Sequence, residues 1–212
     1  VSVQVGLPAT HSADAISDKA WTSGIVKHPV HGRVWLDLLN FAGDGQDDLE
    51  HHGGMFRAVL AYSADHYPVW QRELTLEIPL DFGRFGENLT VSGVDEETVC
   101  LGDIYAVGET RIQVSQPRQP CWKLARRNAI KDLTARVDEK GWGGWYHRVL
   151  QVGYVQAGDA YTLLERPYPQ YPIKHMNDFI RKRASDAGAF RELATIEALT
   201  PEWRTYFSKQ AE

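Results

Sequence analysis

The feature that most constrains the fold is an alternation, from residue 1 to about residue 164, between short β-branched and aromatic runs and clusters of Gly, Asp and Pro. Runs such as residues 1–5 and 104–107 have the length and composition of strands, and the clusters between them are typical of turns. Two stretches, residues 63–74 and 122–137, break the alternation with apolar residues at helical spacing. We therefore predict a mostly β domain of the α+β class, with at least two inserted helices.

A proline-rich segment, residues 166–172, ends this pattern. Its three closely spaced prolines favour extended backbone, so we interpret it as a linker. Beyond it the apolar spacing becomes helical, and Thr200-Pro201 has the form of a helix start. We predict a β-rich domain over residues 1–165 and three short helices over residues 173–212. About 40 residues rarely fold alone, so these helices should pack on the β-rich domain or on another subunit.

The composition excludes several classes of protein. Charged residues make up 24% of the chain and the net charge is −5, which argues against binding a nucleic acid through its phosphates. No stretch approaches the roughly 20 apolar residues that span a bilayer, and residues 1–6 do not have the form of a secretory signal. The two cysteines, Cys100 and Cys121, are too few for a disulfide framework. We therefore expect a cytoplasmic protein whose partners include neither a nucleic-acid polymer nor a membrane.

Cys121 is the residue whose surroundings most favour chemistry. It follows Pro117-Arg-Gln-Pro120 at the predicted start of a helix. The positive end of the helix dipole and the charge of Arg118 both favour the thiolate, which is the form that binds metals and attacks electrophiles. The alternative is that Cys121 is a small buried filler. Cys100 lies inside a predicted strand, has no such setting and is expected in the core.

Three further motifs contain residues that can bind a ligand. In His51-His-Gly-Gly54, backbone amides can hold an anion, although a turn with a structural histidine explains the motif as well. Glu87 and Asn88 can bind the edge of a heterocycle or stabilise their own bend. Residues 141–148 form a Gly-rich, aromatic-rich segment that we expect to be a loop; its Arg148 can pair with a phosphate, or its tryptophans can pack the loop over the end of the domain.

In their order along the chain, these motifs resemble the MOSC family, the domains related to the C-terminal part of molybdenum cofactor sulfurase. The resemblance covers roughly residues 1–165, and the helices after the linker are similar to the C-terminal 3-alpha domain of the YiiM-type subgroup. The matching residues are His52-Gly53-Gly54, Ala58-Val59, Tyr62, Phe85-Gly86-Glu87-Asn88-Leu89, Gly102-Asp103, Pro117-Arg118-Gln119-Pro120-Cys121, Gly144-Trp145-Tyr146-His147-Arg148 and Gly158-Asp159.

The resemblance implies a barrel-like β fold that binds the molybdenum cofactor, a pterin carrying a phosphate and a dithiolene that holds the metal. It implies a reductase of N-hydroxylated compounds, since relatives reduce such compounds and YiiM-type proteins are associated with base analogues such as 6-hydroxylaminopurine. Because the chain has no cluster-binding set of cysteines, we expect a separate reductase to donate the electrons. Cys121 would be a soft thiolate ligand of molybdenum, and the other cofactor contacts would be His52, Gly53, Gly54, Glu87, Asn88, Arg118 and Arg148.

Three other functions stay open on the sequence, one of them a cysteine hydrolase, which would need a histidine beside Cys121 as its base. A persulfide carrier would use the same reactive Cys121, and some family members have sulfur-carrier roles; a non-enzymatic binding module would use Cys121 only as a structural residue. The adjacent His51 and His52 leave open which imidazole faces the pocket, and a homodimer is compatible with the chain. We expect the C-terminal helices to form one wall of the substrate pocket or to dock the electron donor, with a purely stabilising role as the alternative.

Overall fold

The protein is described by a computed structural model that covers residues 1–75 and 79–212. Short 3-10 helices lie at Met55–Arg57 and Ala64–His66. Within the described residues the strands are β1 (Ser2–Val5), β2 (Ala9–His11), β3 (Trp21–Ser23), β4 (His28–Pro29), β5 (Arg33–Leu36), β6 (Val59–Ser63), β7 (Leu89–Val91), β8 (Ile104–Val107), β9 (Thr110–Pro117), β10 (Trp145–Gln151), β11 (Gly153–Gln156) and β12 (Tyr161–Glu165). The α-helices are α1 (Leu49–His52), α2 (Tyr67–Glu73), α3 (Lys123–Asn128), α4 (Leu133–Lys140), α5 (Ile173–Ile180), α6 (Ala187–Leu193) and α7 (Pro201–Gln210).

Eight of the described strands form one curled sheet in the order β12-β8-β9-β10-β6-β7-β1-β4. The mostly β, α+β class is therefore confirmed, but the barrel is not closed: no ladder between described residues joins β12 to β4. The curl nevertheless brings β1 to the β11–β12 turn, where the Val1 amino group donates to the Asp159 carbonyl (2.7 Å) and the Gly158 N–H donates to the Val1 carbonyl (2.8 Å). A separate β5–β11 pair covers the remaining side, which is why the sheet encloses a core without closing.

The main core lies between the curled sheet and the β5–β11 pair. Along β5, Val34 and Leu36 are buried whereas Arg33 and Trp35 are exposed, as the period-2 alternation of a half-buried strand requires. Residues from both ladders therefore meet in one apolar cluster. Its members include Val3, Val34, Leu36, Val59, Leu89, Ile112, Val114, Trp145 and Val155.

The helix predicted over residues 63–74 forms, with a 3-10 first turn. The Ser63 hydroxyl accepts a hydrogen bond from the Asp65 N–H (3.3 Å), as expected of an N-cap, and α2 then ends at Glu73. A second apolar cluster, beside the first, packs α2 and α4 against the sheet; it includes Trp21, Tyr62, Trp70, Phe85, Leu124, Leu133 and Val137.

The single helix predicted over residues 122–137 is wrong, because the chain breaks into α3 and α4. Ala129 adopts a left-handed backbone conformation with φ of 54°. The buried Asn128 side chain donates to the Leu124 carbonyl (3.0 Å) and accepts from Arg84 Nε (2.9 Å), which ends the helix by satisfying one of its last carbonyls. Trp122, the first residue of the predicted helix, is 54% exposed.

The Gly-rich segment, expected to be a loop, leads into a central strand. β10 begins at Trp145 and pairs with both β6 and β9. Gly144 has φ of 80°, and a Cβ atom there would lie 2.3 Å from the Ala61 carbonyl oxygen, so only glycine permits this entry into the sheet. The strand predicted around Cys100 is likewise a turn, with a single bridge between Cys100 and Pro172.

The three C-terminal helices pack on the sheet domain, as their small size requires. Ile173 belongs to the main core, and Pro201 opens α7 as predicted. Asn177 lies inside α5, where its amide nitrogen donates to the Gly141 carbonyl (3.1 Å). None of the helices in the described part of the chain is long and apolar enough to cross a bilayer. The apolar cluster of this region joins the helices to the turn before them, through Leu101, Tyr171, Met176, Phe179, Phe190, Leu193 and Phe207.

Candidate functional site

One cleft brings together four of the predicted site residues, and we name it the cysteine cleft. It encloses about 630 Å³ of empty space up to its open mouth, a size suited to a small-molecule ligand. Its walls come from the β3–β4 region, from α1 and from the segment that joins β9 to α3. The predicted residues that line it are His52, Asn88, Arg118 and Cys121, and the side chains that no motif predicted include Lys27, Arg57, Lys123 and Tyr146.

Cys121 has the low-pKa environment that its sequence position predicts. Burial opposes ionisation of the thiol, but a hydrogen bond with His52, the charge of Arg118 and the Lys123 backbone N–H outweigh it. Together they lower the pKa of Cys121 to about 7. About half of such a thiol is ionised at neutral pH. The side chain is partly exposed, so the thiolate can reach a ligand in the cleft.

Arg118 is held in a fixed position beside the thiol. Its side chain is buried, and its guanidinium donates to the Gly143 carbonyl (3.3 Å) and to the Phe85 carbonyl (3.2 Å). Its backbone N–H donates to the Gly144 carbonyl (3.0 Å). These neutral acceptors orient the guanidinium without cancelling its charge, which therefore acts on Cys121.

Glu87 lies behind the cysteine cleft rather than in its wall. It is fully buried, and its carboxylate accepts hydrogen bonds from the Phe85 N–H (3.1 Å) and from the hydroxyls of Tyr67 and Thr90. These bonds fix the bend that presents the Phe85 carbonyl to Arg118. The structure thus gives Glu87 a positioning role, and its contact with a cofactor stays a prediction.

Asn88 lines the cysteine cleft, but its side chain is bonded within the protein. The amide oxygen accepts from the Leu60 N–H (3.1 Å), and the amide nitrogen donates to the Asp44 carboxylate (2.8 Å). Asp44 in turn forms a buried ion pair with Lys27. Asn88 therefore fixes Asp44 and, through it, the Lys27 ammonium in the cleft wall.

The structure answers which histidine faces the thiol. Asp48 caps α1 by accepting the His51 N–H (3.0 Å), and the exposed His51 imidazole bonds back to the same carboxylate (2.9 Å). The His52 imidazole instead forms the hydrogen bond with Cys121. Gly53 and Gly54 follow the helix without lining the cleft; Gly54 has φ of 90°, a conformation that glycine adopts readily.

Arg148 lies outside the cysteine cleft. Its guanidinium donates to the Gln113 side chain (2.8 Å) and to the Glu197 carbonyl (3.3 Å), and it lies over the Phe56 ring. It therefore joins the sheet to the segment that precedes α7. Its predicted contact with a cofactor is separate from the cluster around Cys121.

A second cavity, which we name the helix cleft, adjoins the cysteine cleft. The two share His52, Arg57 and Tyr146 in their walls. The helix cleft has about 660 Å³ of empty space, and α7 contributes Glu202, Trp203 and Tyr206 to it. The C-terminal helices thus form a wall of a cavity next to the reactive thiol; that this cavity is the substrate pocket stays a prediction.

Some of the cleft residues carried a sequence signal and others did not. Arg57 closely follows the His-Gly-Gly motif, and Tyr146 belongs to the aromatic segment considered for ring stacking. Lys27 stands in no motif, since its place depends on Asp44 and Asn88 from distant parts of the chain. Among residues 1–75 and 79–212, no three His, Cys, Asp or Glu side chains are arranged to hold a metal ion. A metal bound at Cys121 needs further ligands from a cofactor.

Comparison with known proteins assigns the family. The MOSC domain model matches residues 48–162, which is more than half of the chain. The "Uncharacterized protein YflK" of Bacillus subtilis is 40% identical over 210 residues, covering 99% of this chain and 93% of the relative. A protein of Gibberella moniliformis named "Reductase" is 40% identical over 164 residues, or 76% of this chain; the match spans only 29% of that longer protein.

A solved structure extends the similarity to the whole fold. The crystal structure of YiiM from Geobacillus stearothermophilus superimposes with a TM-score of 0.80 at 34% identity, covering 100% of this chain and 98% of that one. The match therefore includes the C-terminal helices as well as the sheet domain. Taken with the family match over residues 48–162, this shows that the chain belongs to the MOSC domain family and is similar to YiiM over its full length.

Proposed function

We propose that the protein is a cytoplasmic, molybdenum-cofactor-dependent reductase of N-hydroxylated compounds, base analogues such as 6-hydroxylaminopurine among them. The observation that carries the proposal is the Cys121 thiol, whose pKa is lowered to about 7 in a cleft lined by cationic side chains. The relative named "Reductase" supports a reductive activity. The chain's cysteines do not form a cluster-binding set, so electrons come from a separate reductase.

The donor set of the cysteine cleft fits the cofactor. A thiolate is a soft ligand, and one such ligand is sufficient when dithiolene sulfurs supply others. The two lysines of the cleft are paired with aspartate carboxylates. Arg118 bonds only carbonyl oxygens and the Tyr146 hydroxyl within the described residues. Its charge therefore remains available to a phosphate or to the dithiolene.

The reaction would take two electrons and two protons, break the N–O bond, and release the amine and water; the bound cofactor would supply this electron transfer. Cys121 would hold the metal, and Arg118 would keep the thiol ionised. His52 is hydrogen-bonded to Sγ of Cys121 and is partly exposed, so its imidazole connects the reacting centre to solvent. That connection provides a path for the protons that the reaction consumes.

Metal analysis together with an N–O reduction assay tests the proposal. Protein from a host that makes the cofactor should contain about one molybdenum per chain, as a single thiolate site implies. With reduced methyl viologen as donor, it should convert 6-hydroxylaminopurine to adenine without any partner protein. Protein that lacks molybdenum, or that carries it and reduces no N-hydroxylated compound, would contradict the proposal.

The same thiol favours one other function, that of a persulfide carrier. A partly exposed thiol with a pKa of about 7 is a good nucleophile at neutral pH. A carrier should gain the mass of one sulfur atom on Cys121 when it is treated with a sulfane-sulfur donor, and should deliver that atom to an acceptor. If the Cys121→Ser variant reduces N-hydroxylated compounds as fast as wild type, Cys121 has no role in that reaction.

A further inference from the structure

We propose that the helix cleft binds the ring of the substrate and that Gln116 selects purines whose edge carries an amino group. The inference rests on the proposed function and adds to it the residues that recognise the substrate. It places the ring next to the cysteine cleft, beside α7, and assigns its recognition to an amide on β9.

Gln116 lines the helix cleft and has a hydrogen-bonding group that no described residue uses. The residue is 4% exposed, and its buried amide oxygen accepts no hydrogen bond from any residue that the structure describes. A buried acceptor without a donor costs free energy, so such groups call for an explanation. A ligand N–H provides one.

The other glutamine of the same cleft shows the contrast. The Gln119 amide oxygen accepts from Arg181 (2.7 Å), and its amide nitrogen donates to Asn177 (3.2 Å). Gln119 therefore fastens the β9–α3 segment to α5. Of the two glutamines that line the helix cleft, Gln116 is the one whose acceptor is left for a ligand.

The register of the sheet places Gln116 close to the reactive thiol. Gln116 on β9 lies directly opposite Tyr146 on β10, so the two side chains are neighbours on one face of the sheet. Tyr146 lines both clefts. A hydroxylaminopurine whose exocyclic N–H is held by Gln116 therefore lies at the boundary with the cysteine cleft, and the hydroxyl on the same nitrogen can extend towards Cys121.

The part of the helix-cleft wall that comes from α7 is aromatic. Trp203 and Tyr206 are partly buried and pack edge to face, with ring centroids 5.3 Å apart. The next residue, Phe207, is fully buried among the C-terminal helices and anchors this part of α7. Anchored aromatic rings provide a surface on which a planar base can stack.

The hydrogen bonds of an amide match the edge of an aminopurine. An exocyclic amino group donates, and the neighbouring ring nitrogen accepts, so one glutamine can satisfy both. The Gln116 oxygen would take the amino hydrogen. Unsubstituted purine offers the same ring for stacking but lacks this donor, so it serves as the matched ligand for the test.

The test titrates the full-length, cofactor-free protein with adenine and with unsubstituted purine. Wild type should prefer adenine, and Gln116→Met, which keeps the side chain's length, should bind adenine about tenfold more weakly with little change for purine. Trp203→Leu should weaken both ligands alike, since stacking does not depend on the amino group. Gln151→Leu, at an exposed glutamine of β10 outside both clefts, is the control and should bind as wild type does.

Kinetics separate failure of this inference from failure of the proposed function. In protein that carries the molybdenum cofactor, Gln116→Met should raise KM for 6-hydroxylaminopurine about tenfold and leave kcat unchanged. It should also leave the reduction of hydroxylamine, which has no ring, unchanged. Wild type that reduces neither compound refutes the proposed function, whereas the adenine titration still decides the role of Gln116. Two results overturn the inference. In the first, wild type is active and the Gln116→Met variant keeps both the adenine affinity and the KM of wild type. In the second, wild type binds adenine no better than purine.

Discussion

The two cysteines of this chain take opposite properties from their surroundings. At Cys100, burial and the neighbouring Asp103 carboxylate raise the pKa of the thiol. Its Sγ also donates a hydrogen bond to the Pro169 carbonyl (3.7 Å), and only the protonated thiol can make this bond. At Cys121 the bonds from His52 and the Lys123 N–H, and the charge of Arg118, overcome burial and lower the pKa to about 7.

Both thiols have an arginine nearby, and the difference lies in what each arginine binds. Arg166 donates two hydrogen bonds to the Asp103 carboxylate, at 2.9 and 2.7 Å. The negative charge of Asp103 therefore cancels most of the effect of Arg166 on the Cys100 thiol. Arg118 donates to carbonyl oxygens instead. A cation thus shifts a thiol pKa most when it is fixed by neutral acceptors, and the following predictions test this contrast.

The largest effect is expected from removing one thiol and keeping the other. Cys121→Ser should lose bound molybdenum and lower N-hydroxylamine reduction by at least about 100-fold, because the soft ligand is gone. Cys100→Ser should keep both. Elemental analysis and the methyl viologen assay measure the two quantities, and equal molybdenum loss in the two variants would contradict the assignment.

The next largest effect should come from the arginine of the cysteine cleft. Arg118→Ala should lose molybdenum and raise the pKa of Cys121, and it should cost about 1–3 kcal/mol of unfolding free energy, since two buried carbonyls lose their donor. Arg118→Lys keeps the charge but not the planar geometry and should fall between Ala and wild type. Urea unfolding and alkylation rates measure these changes. Arg118→Ala with normal molybdenum content and normal thiol reactivity would show that Arg118 has no role at the thiol.

A smaller and pH-dependent difference separates the unliganded thiols. Because the thiolate is the reacting form, alkylation of Cys121 in cofactor-free protein should rise with pH with a midpoint at about 7. At pH 6 its rate should be about a tenth of the plateau. Cys100 should stay unmodified over this range. Peptide mapping by mass spectrometry follows both sites. His52→Ala should move the midpoint of Cys121 alkylation to higher pH. An unchanged midpoint would show that His52 does not lower the pKa of Cys121.

The smallest effect is expected at the edge of the site. Asp48→Asn keeps an N-cap for α1 and removes a charge that lies 3.8 Å from His52, too far for a hydrogen bond. Unfolding free energy should change by less than about 0.5 kcal/mol, and molybdenum content should match wild type. Substantial metal loss in this variant would mean that Asp48 orients His52 more strongly than the geometry indicates.

Local chemistry explains why the thiol could be predicted from the sequence. Arg118 and Cys121 are three residues apart, and the prolines around them fix their mutual position, so the sequence places charge and thiol together. Pro201 likewise specifies the start of α7 by its own geometry. Features of this kind depend on neighbours in the chain and need no knowledge of the fold.

The rest of the site depends on contacts between distant segments. The Lys27 ammonium is placed by Asp44, which is held by Asn88, and no local pattern joins these three residues. The break between α3 and α4 depends on the bond from Arg84 to Asn128. The open edge of the sheet has the same origin, since β5 pairs with β11 rather than with the main sheet.

Molybdenum K-edge X-ray absorption of the loaded protein tests the central claim most directly, because it counts the sulfur atoms bound to the metal. If Cys121 is the protein ligand, wild type and Cys100→Ser should each show about three sulfur neighbours per molybdenum, two from the dithiolene and one from the thiolate. Any residual metal in Cys121→Ser should show about two. An unchanged sulfur count in Cys121→Ser, or a loss of one sulfur in Cys100→Ser, would contradict the account.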